Sequence, residues 1–238
     1  MNTTALTSGS GILDPRDARY SGNVSVLVVG GGGCGLTAAL SAQQAGAEVL
    51  VLERDASTLG TTAMSTGLIP AAGTRLQRER GIEDSAEIFA ADIVRKTGGQ
   101  TDASIALALA EASAATVEWL IDDHAVPLSL VDSFLYPGHS VKRMHGTPNR
   151  TGSELMAALA AAAERRGIDV VTEALVEGVF ADAADGRVRG VRVRRPDQTC
   201  EDFACDALVL ACCGFGGNAE MIRQYIPEIA EATFFGHP

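Results

Sequence analysis

Short, uniformly apolar runs alternate along this chain with longer stretches in which alanine and leucine recur at helical spacing. Residues 24–29, VSVLVV, are mostly β-branched and suit a strand buried on both faces. Residues 36–46 read as an alanine-rich helix closed by Gly46, and Val49–Leu52 as a second apolar strand. Residues 85–96 predict a helix capped by Ser85, and residues 102–124 one long helix, with Ser113 the place for a break. Trp119 reads as a core aromatic of that helix, and Pro127 stops it. Another alanine-leucine helix follows Thr151-Gly152-Ser153-Glu154 and ends at Gly167, and residues 168–172 predict a further strand. β-Formers cluster at residues 176–180 and Val188–Arg194, around the hairpin turn signal Asp185-Gly186. Residues 206–212, DALVLAC, predict another buried apolar strand, and a last helix begins at Ala219.

The junction between the first strand and the first helix carries glycines at fixed spacing. Gly30, Gly32 and Gly35 make G-x-G-x-x-G, and the second strand ends on Glu53, 18 residues beyond Gly35. Gly30 lets the chain turn sharply out of the strand. Gly32, without a Cβ, lets a pyrophosphate approach the backbone, and Gly35 lets the helix pack close to the sheet. The helix N-terminus offers unpaired N–H groups and a partial positive charge to phosphates. Glu53 can accept hydrogen bonds from ribose hydroxyls and would repel a 2′-phosphate. The βαβ context favours a dinucleotide site over a merely structural glycine turn; the motif alone leaves FAD and NAD open.

Composition narrows the partners. A net charge of −11 and a pI near 4.8 argue against nucleic acid and anionic membranes. No window holds eighteen or more uninterrupted apolar residues, and the N-terminus lacks a basic start followed by an apolar core. Residues 1–22 therefore read as a flexible polar arm. Five cysteines, an odd number with no C-x-x-C, indicate neither a disulfide framework nor a zinc site, and a cytoplasmic location fits best. Residues 57–74 form a small-residue loop, either a linker or a surface where a ligand meets backbone. Residues 131–150 gather Tyr136, His139, Lys142, Arg143, His145 and Arg150, either facing an anionic ligand or forming a solvated loop; their spacing is not that of a metal site.

Four stretches, taken in order, resemble the flavoprotein subunits of the fumarate reductase and succinate dehydrogenase superfamily, which also includes 3-ketosteroid dehydrogenases. VVGGGGCGLTAALSAQQAGAEVLVLERD is similar to its FAD fingerprint, and LGTTAMSTG to its second flavin loop. MHGTPNRTGSELMAAL is similar to the segment leading into its third helix, and ALVLACCGFGGNAEMIRQYIPEI to its A-V-I-L-A-T-G-G-F-G-x-N element. The resemblance covers nearly all of residues 24–235 and moves the cofactor from NAD to FAD. It implies an α/β, Rossmann-like FAD-binding domain with a parallel sheet and a β-meander insertion. Gly30, Gly32, Gly33, Cys34 and Gly35 would hold the pyrophosphate, and Glu53 with Arg54 the adenosine ribose. Gly60, Thr61, Thr62, Ser65 and Gly67 would line the flavin side, and the backbone at Val176 would meet the adenine. Ala211, Cys212 and Gly214 would pass close to the cofactor. The second loop holds no histidine, which implies noncovalent FAD.

Two departures stand out. Cys213 replaces a glycine of the family's A-T-G-G at a tight turn. The resemblance also stops before the family's capping domain and return segment, which implies residues 23–238 as an FAD-binding domain truncated before the cap. The expected function is an FAD-dependent oxidoreductase of CH–CH bonds, with hydride transfer through flavin N5 and a small unsaturated acid or ketone as substrate. The alternatives are a non-catalytic FAD-binding module, a fragment, or a subunit of a split enzyme whose partner chain supplies the capping half. A plain NAD-binding domain is the third reading. No catalytic residue is assigned; His139, Arg143 and His145 are the local candidates. Cys212 and Cys213, following a buried strand, are expected to pack near the cofactor rather than do redox chemistry.

Overall fold

The protein is described from a computed structural model covering residues 11–237. The chain divides into two compact units, one comprising residues up to Thr58 together with Ala163–Gly236, the other Leu59–Ala162 with His237. In the first unit, β1 (Ile12–Leu13) and β2 (Tyr20–Val29) precede α1 (Gly33–Gln44) and β3 (Val49–Leu52). The second unit contains α2 (Gly60–Ala63), β4 (Ile69–Pro70), α3 (Arg75–Arg78), α4 (Ala86–Lys96), α5 (Ala103–Asp122), β5 (Ser129–Leu130) and β6 (Met144–Gly146). It also takes most of α6 (Gly152–Arg165). The first unit resumes with β7 (Asp169–Val171), β8 (Leu175–Ala181), β9 (Val188–Arg194), β10 (Cys200–Leu210) and α7 (Ala219–Tyr225).

The first unit is built on a seven-stranded sheet of order β1-β8-β9-β10-β2-β3-β7. The four strands from β10 to β7 run parallel, while β8, β9 and β10 pair antiparallel as a meander. The apolar runs behave as expected of strands covered on both faces. Leu27, Val28, Val51 and Leu52 are essentially inaccessible, and Leu27, Val29, Leu50 and Leu52 share a core with Val191, Val193 and Cys205. The meander thus packs into the same core as the βαβ unit.

The N-terminal arm was expected to run to residue 22. Residues 1–10 lie outside the described residues, but Ile12 and Leu13 pair with Val179 and Phe180, and β2 already begins at Tyr20. Backbone pairing imposes order here on a polar sequence, because Tyr20, Gly22 and Asn23 sit beside β10. β10 is also longer than expected. Its polar first half carries the antiparallel register with β9, a role that apolar patterning does not report.

In the second unit α4 packs on α5 through Phe89, Ala90, Ala106 and Ala110. Ser85 caps α4 as expected, and Asp102, not singled out as a cap, caps α5. α5 does not break at Ser113. That hydroxyl donates to the Ala110 carbonyl and accepts from the Ala72 N–H, so it is anchored within the helix. Among the described residues α5 is the helix whose twenty-residue length and apolar content would match a membrane span; its Ala106, Ala110, Val117 and Leu120 are buried. The small-residue loop at 57–74 holds a short helix and a strand, and β4, β6 and β5 form a separate three-stranded sheet.

Candidate functional site

In the first unit, β2 hands the chain to α1 through four consecutive glycines. Gly30 takes φ +103°, and a Cβ there would stand 2.6 Å from the Ala211 carbonyl oxygen. The end of the neighbouring strand therefore forces the glycine. A Cβ on Gly35 would fall 1.8 Å from the Gly30 oxygen, so the first turn of α1 sits directly on the loop. Gly32 is different in kind, because a Cβ there would meet nothing within 4 Å. Protein packing does not demand that glycine; it leaves an open cradle at the N-cap of α1, which has no side-chain cap. The partial positive charge of the helix N-terminus faces that space.

Glu53 closes the cradle from behind. It is 8% exposed, and its carboxylate accepts from the Gly31 N–H at 2.7 Å and from the Asp55 N–H at 2.9 Å. Its backbone is tied on both sides, donating to the Val171 carbonyl and accepting from the Ala174 N–H. A carboxylate offers about four acceptor positions, so two remain for a ligand's hydroxyls. Gly31 was not singled out in the sequence, yet a Cβ there would meet the Thr58 methyl at 2.7 Å and the Glu53 carboxylate at 3.1 Å. The run of four glycines was the signal.

The other first-unit residues lie around this loop or lead away from it. Gly33 opens α1, and Cys34, in its first turn, is exposed. Arg54 pairs with Asp55 at the surface. Val176 follows Ala174, whose N–H reaches Glu53, and pairs with Val193 in the meander. Ala211 donates its N–H to the Val29 carbonyl at 2.8 Å, which fixes the end of β10 beside the loop. A Cβ on Gly214 would meet nothing within 4 Å. Cys212 and Cys213, expected to pack near the cofactor, are exposed, and so is Leu210, at 64%. β10 runs past its covered portion, so the apolar run does not stay buried to its end. Cys213 takes φ +61°, the left-handed conformation that the family's glycine accommodates.

In the second unit, Gly60 begins α2 with Thr61 and Thr62, and the Ser65 hydroxyl donates to the Thr62 carbonyl. This loop interlocks with the start of α6. Gly152 donates its N–H to the Ser65 carbonyl at 2.8 Å, and a Cβ on Gly152 would lie 1.9 Å from the Thr62 oxygen. A Cβ on Gly67, at φ +63°, would lie 2.6 Å from the Thr151 oxygen. Gly152 was missed in the sequence, where it reads as an ordinary helix start.

Of the cations of residues 131–150, Arg143 and His145 serve neither of the two expected roles, because both are buried, while Arg150 is exposed. Arg143 is fully buried, bonding Asp84 through Nε at 2.9 Å and Asp92 through Nη1 at 2.7 Å, with its guanidinium over the Phe89 ring. Burial opposes ionisation of Asp92, but the Ser140 N–H, Arg143 and Arg95 outweigh it and hold the carboxyl well below its usual range. His145 is buried too, its Nε2 at 3.0 Å from the Thr74 hydroxyl, and burial lowers its pKa. Burial likewise lowers that of His139. The partners of Arg143 lie 59 and 51 residues upstream, beyond any local pattern.

Parallel strands with a glycine cradle at a helix N-terminus and a buried acid behind it define a dinucleotide-binding fold. Residues 25–238 match the FAD binding domain family, and the chain belongs to that family, whose cofactor is FAD. It is 31% identical over 230 residues to NADH:fumarate oxidoreductase of Klebsiella pneumoniae, covering 96% of this chain and 24% of that protein. Its fold matches the open conformation of a flavocytochrome c3 fumarate reductase with a TM-score of 0.83 and 31% identity, over 92% of this chain and 38% of the other. It also matches 3-ketosteroid-delta4-(5alpha)-dehydrogenase from Rhodococcus jostii RHA1, with a TM-score of 0.77 and 25% identity, over 91% of this chain and 51% of the other. The chain thus spans about a quarter to a half of the length of these proteins.

Proposed function

We propose that this chain is the flavin-holding part of an FAD-dependent oxidoreductase acting on CH–CH bonds next to a carbonyl or carboxylate. The observation that carries the reading is the open cradle at Gly32, backed by the buried Glu53 carboxylate. The α1 N-terminus would meet the pyrophosphate, the free acceptor positions of Glu53 the ribose hydroxyls, and Gly60, Thr61, Thr62, Ser65 and Gly67 the flavin side. FAD would be held noncovalently, since the second loop contains no histidine. When bound, the flavin supplies hydride exchange at N5. The names of the relatives support small enoates and ketosteroids as the substrate class. Arg143 and His145 are engaged inside the second unit and are not proposed as catalytic.

The test is to load purified protein with FAD, precipitate it with acid and follow the colour. Yellow supernatant is expected; flavin that stays with the pellet would overturn noncovalent binding. Reduced-dye oxidation is then assayed with fumarate and related enoates, and artificial-acceptor reduction with saturated acids and ketosteroids. A second reading is an FAD-binding module that works with a partner chain. Exposure of the adjacent Phe234 and Phe235, at 45% and 79%, favours it as an apolar surface left for another chain. Turnover by this chain alone would count against that reading.

A further inference from the structure

The five cysteines sort by place. Cys205 is buried, and burial together with Asp206 pushes its thiol up, so it is inert to solvent reagents. Cys200 is exposed at the first residue of β10, with its sulfur 3.7 Å from a Glu177 carboxylate oxygen. Cys212 and Cys213 are exposed just past the last residue of the same strand. An eleven-residue strand is roughly 35 Å long, so Cys200 lies far from the pair. The pair borders the cofactor cradle. The Cys212 Cα stands 3.1 Å from where a Cβ on Gly30 would be, and the preceding Ala211 is bonded to the end of β2.

We propose that Cys212 and Cys213 form a thiol-modification site that controls access of the dinucleotide to the glycine loop, the modifying agent being a small-molecule disulfide. The proposal rests on FAD occupying that loop. In the step, the thiolate of either cysteine attacks one sulfur of the disulfide. A protein–small-molecule S–S bond forms, the original S–S bond breaks, and the departing thiolate takes up a proton equivalent to the one the cysteine lost. The protein sulfur is oxidised and half of the disulfide is reduced. A tripeptide-sized adduct then competes for the open space at Gly32. Adjacency makes the adduct persistent. A neighbouring cysteine two or more residues away could displace it, whereas the peptide between adjacent cysteines must distort to reach disulfide geometry. Release therefore awaits an external thiol.

The experiment uses the full chain with and without FAD, the bound flavin being quantified by absorbance in each sample. Both forms are labelled with N-ethylmaleimide and the labelled sites are mapped by peptide mass spectrometry. Bound FAD is expected to slow labelling of Cys212 and Cys213 by about tenfold or more while leaving Cys200 nearly unchanged. In the reverse arm, treatment with oxidised glutathione is expected to weaken FAD binding by about tenfold, and dithiothreitol to restore it. A variant carrying Cys212→Ser and Cys213→Ser should bind FAD equally before and after that treatment. Equal labelling of the pair with flavin demonstrably bound would overturn the proposal and leave the cofactor assignment standing. So would protection confined to Cys34, or unchanged affinity in protein whose adduct at the pair is verified by mass. Absence of bound flavin in the untreated protein would overturn both.

Discussion

At the scale of single residues, Glu53 and Cys213 carry opposite consequences of one geometry. The Glu53 carboxylate satisfies the Gly31 and Asp55 N–H groups, so Glu53→Ala strips the loop of its anchor as well as removing a ribose acceptor. Loss of a hydrogen bond to a charged group is worth about 1.5–3 kcal/mol. FAD affinity measured by flavin-fluorescence titration should fall by about ten- to a hundredfold; unchanged affinity would remove Glu53 from the site. Cys213 holds a left-handed backbone that disfavours a side chain by about 1–2 kcal/mol. Cys213→Gly should therefore raise the urea midpoint by an amount corresponding to about 1 kcal/mol. A lower midpoint would mean that the side chain's own contacts outweigh the conformational relief.

At the scale of elements, the βα turn separates packing glycines from the binding glycine. Gly35→Ala drives a methyl into the Gly30 carbonyl, and the α1–β2 junction should be disrupted, with a loss of thermal stability. Gly32→Ala meets no protein atom within 4 Å, so it should leave the melting temperature of the FAD-free protein nearly unchanged while abolishing flavin retention. A Gly32→Ala protein that retains flavin normally would disprove the cradle. The α4–β6 network makes a second element-scale prediction. His145 and His139 have lowered pKa values in the fold, so the unfolded chain takes up protons first, and stability should begin to fall as pH drops below the ordinary histidine value of 6.5. Asp92, held below its ordinary 3.8, contributes stability at neutral pH that is lost as pH falls through that value toward its folded pKa. Urea midpoints against pH should thus descend in two stages, and His145→Asn should flatten the upper one. Asp92→Asn leaves the buried Arg143 partly unpaired, at a cost of about 3–5 kcal/mol near pH 7.

At the scale of the whole molecule, FAD recognises the folded chain and not the unfolded one, so occupancy should stabilise it. At free FAD about 100-fold above Kd the gain is about 2.7 kcal/mol, read as a rise in melting temperature that grows with FAD concentration. A melting curve indifferent to FAD would contradict the cofactor assignment. The βαβ unit, its three motif glycines and the acid after the second strand were legible in the sequence, as were the β8–β9 hairpin and the Ser85 cap of α4. Each depends on local chemistry: period-two or uniform apolarity, a turn that only glycine can make, or a side chain that bonds the nearest free N–H. What stayed illegible depends on residues far apart. Ordering of Ile12 and Leu13 required β8, and the need for glycine at 152 required the Thr62 carbonyl. The burial of Arg143 required two aspartates from outside its own loop, and the exposure of Cys212 required knowing where the covered part of β10 ends. The sequence by itself determined the strands of the βαβ unit, the longer helices and where the dinucleotide loop lies, because those preferences act over a few neighbouring residues. The tertiary structure alone decided which cations are buried in ion pairs and which thiols face solvent, because burial is a property of what the rest of the chain places on top of a residue.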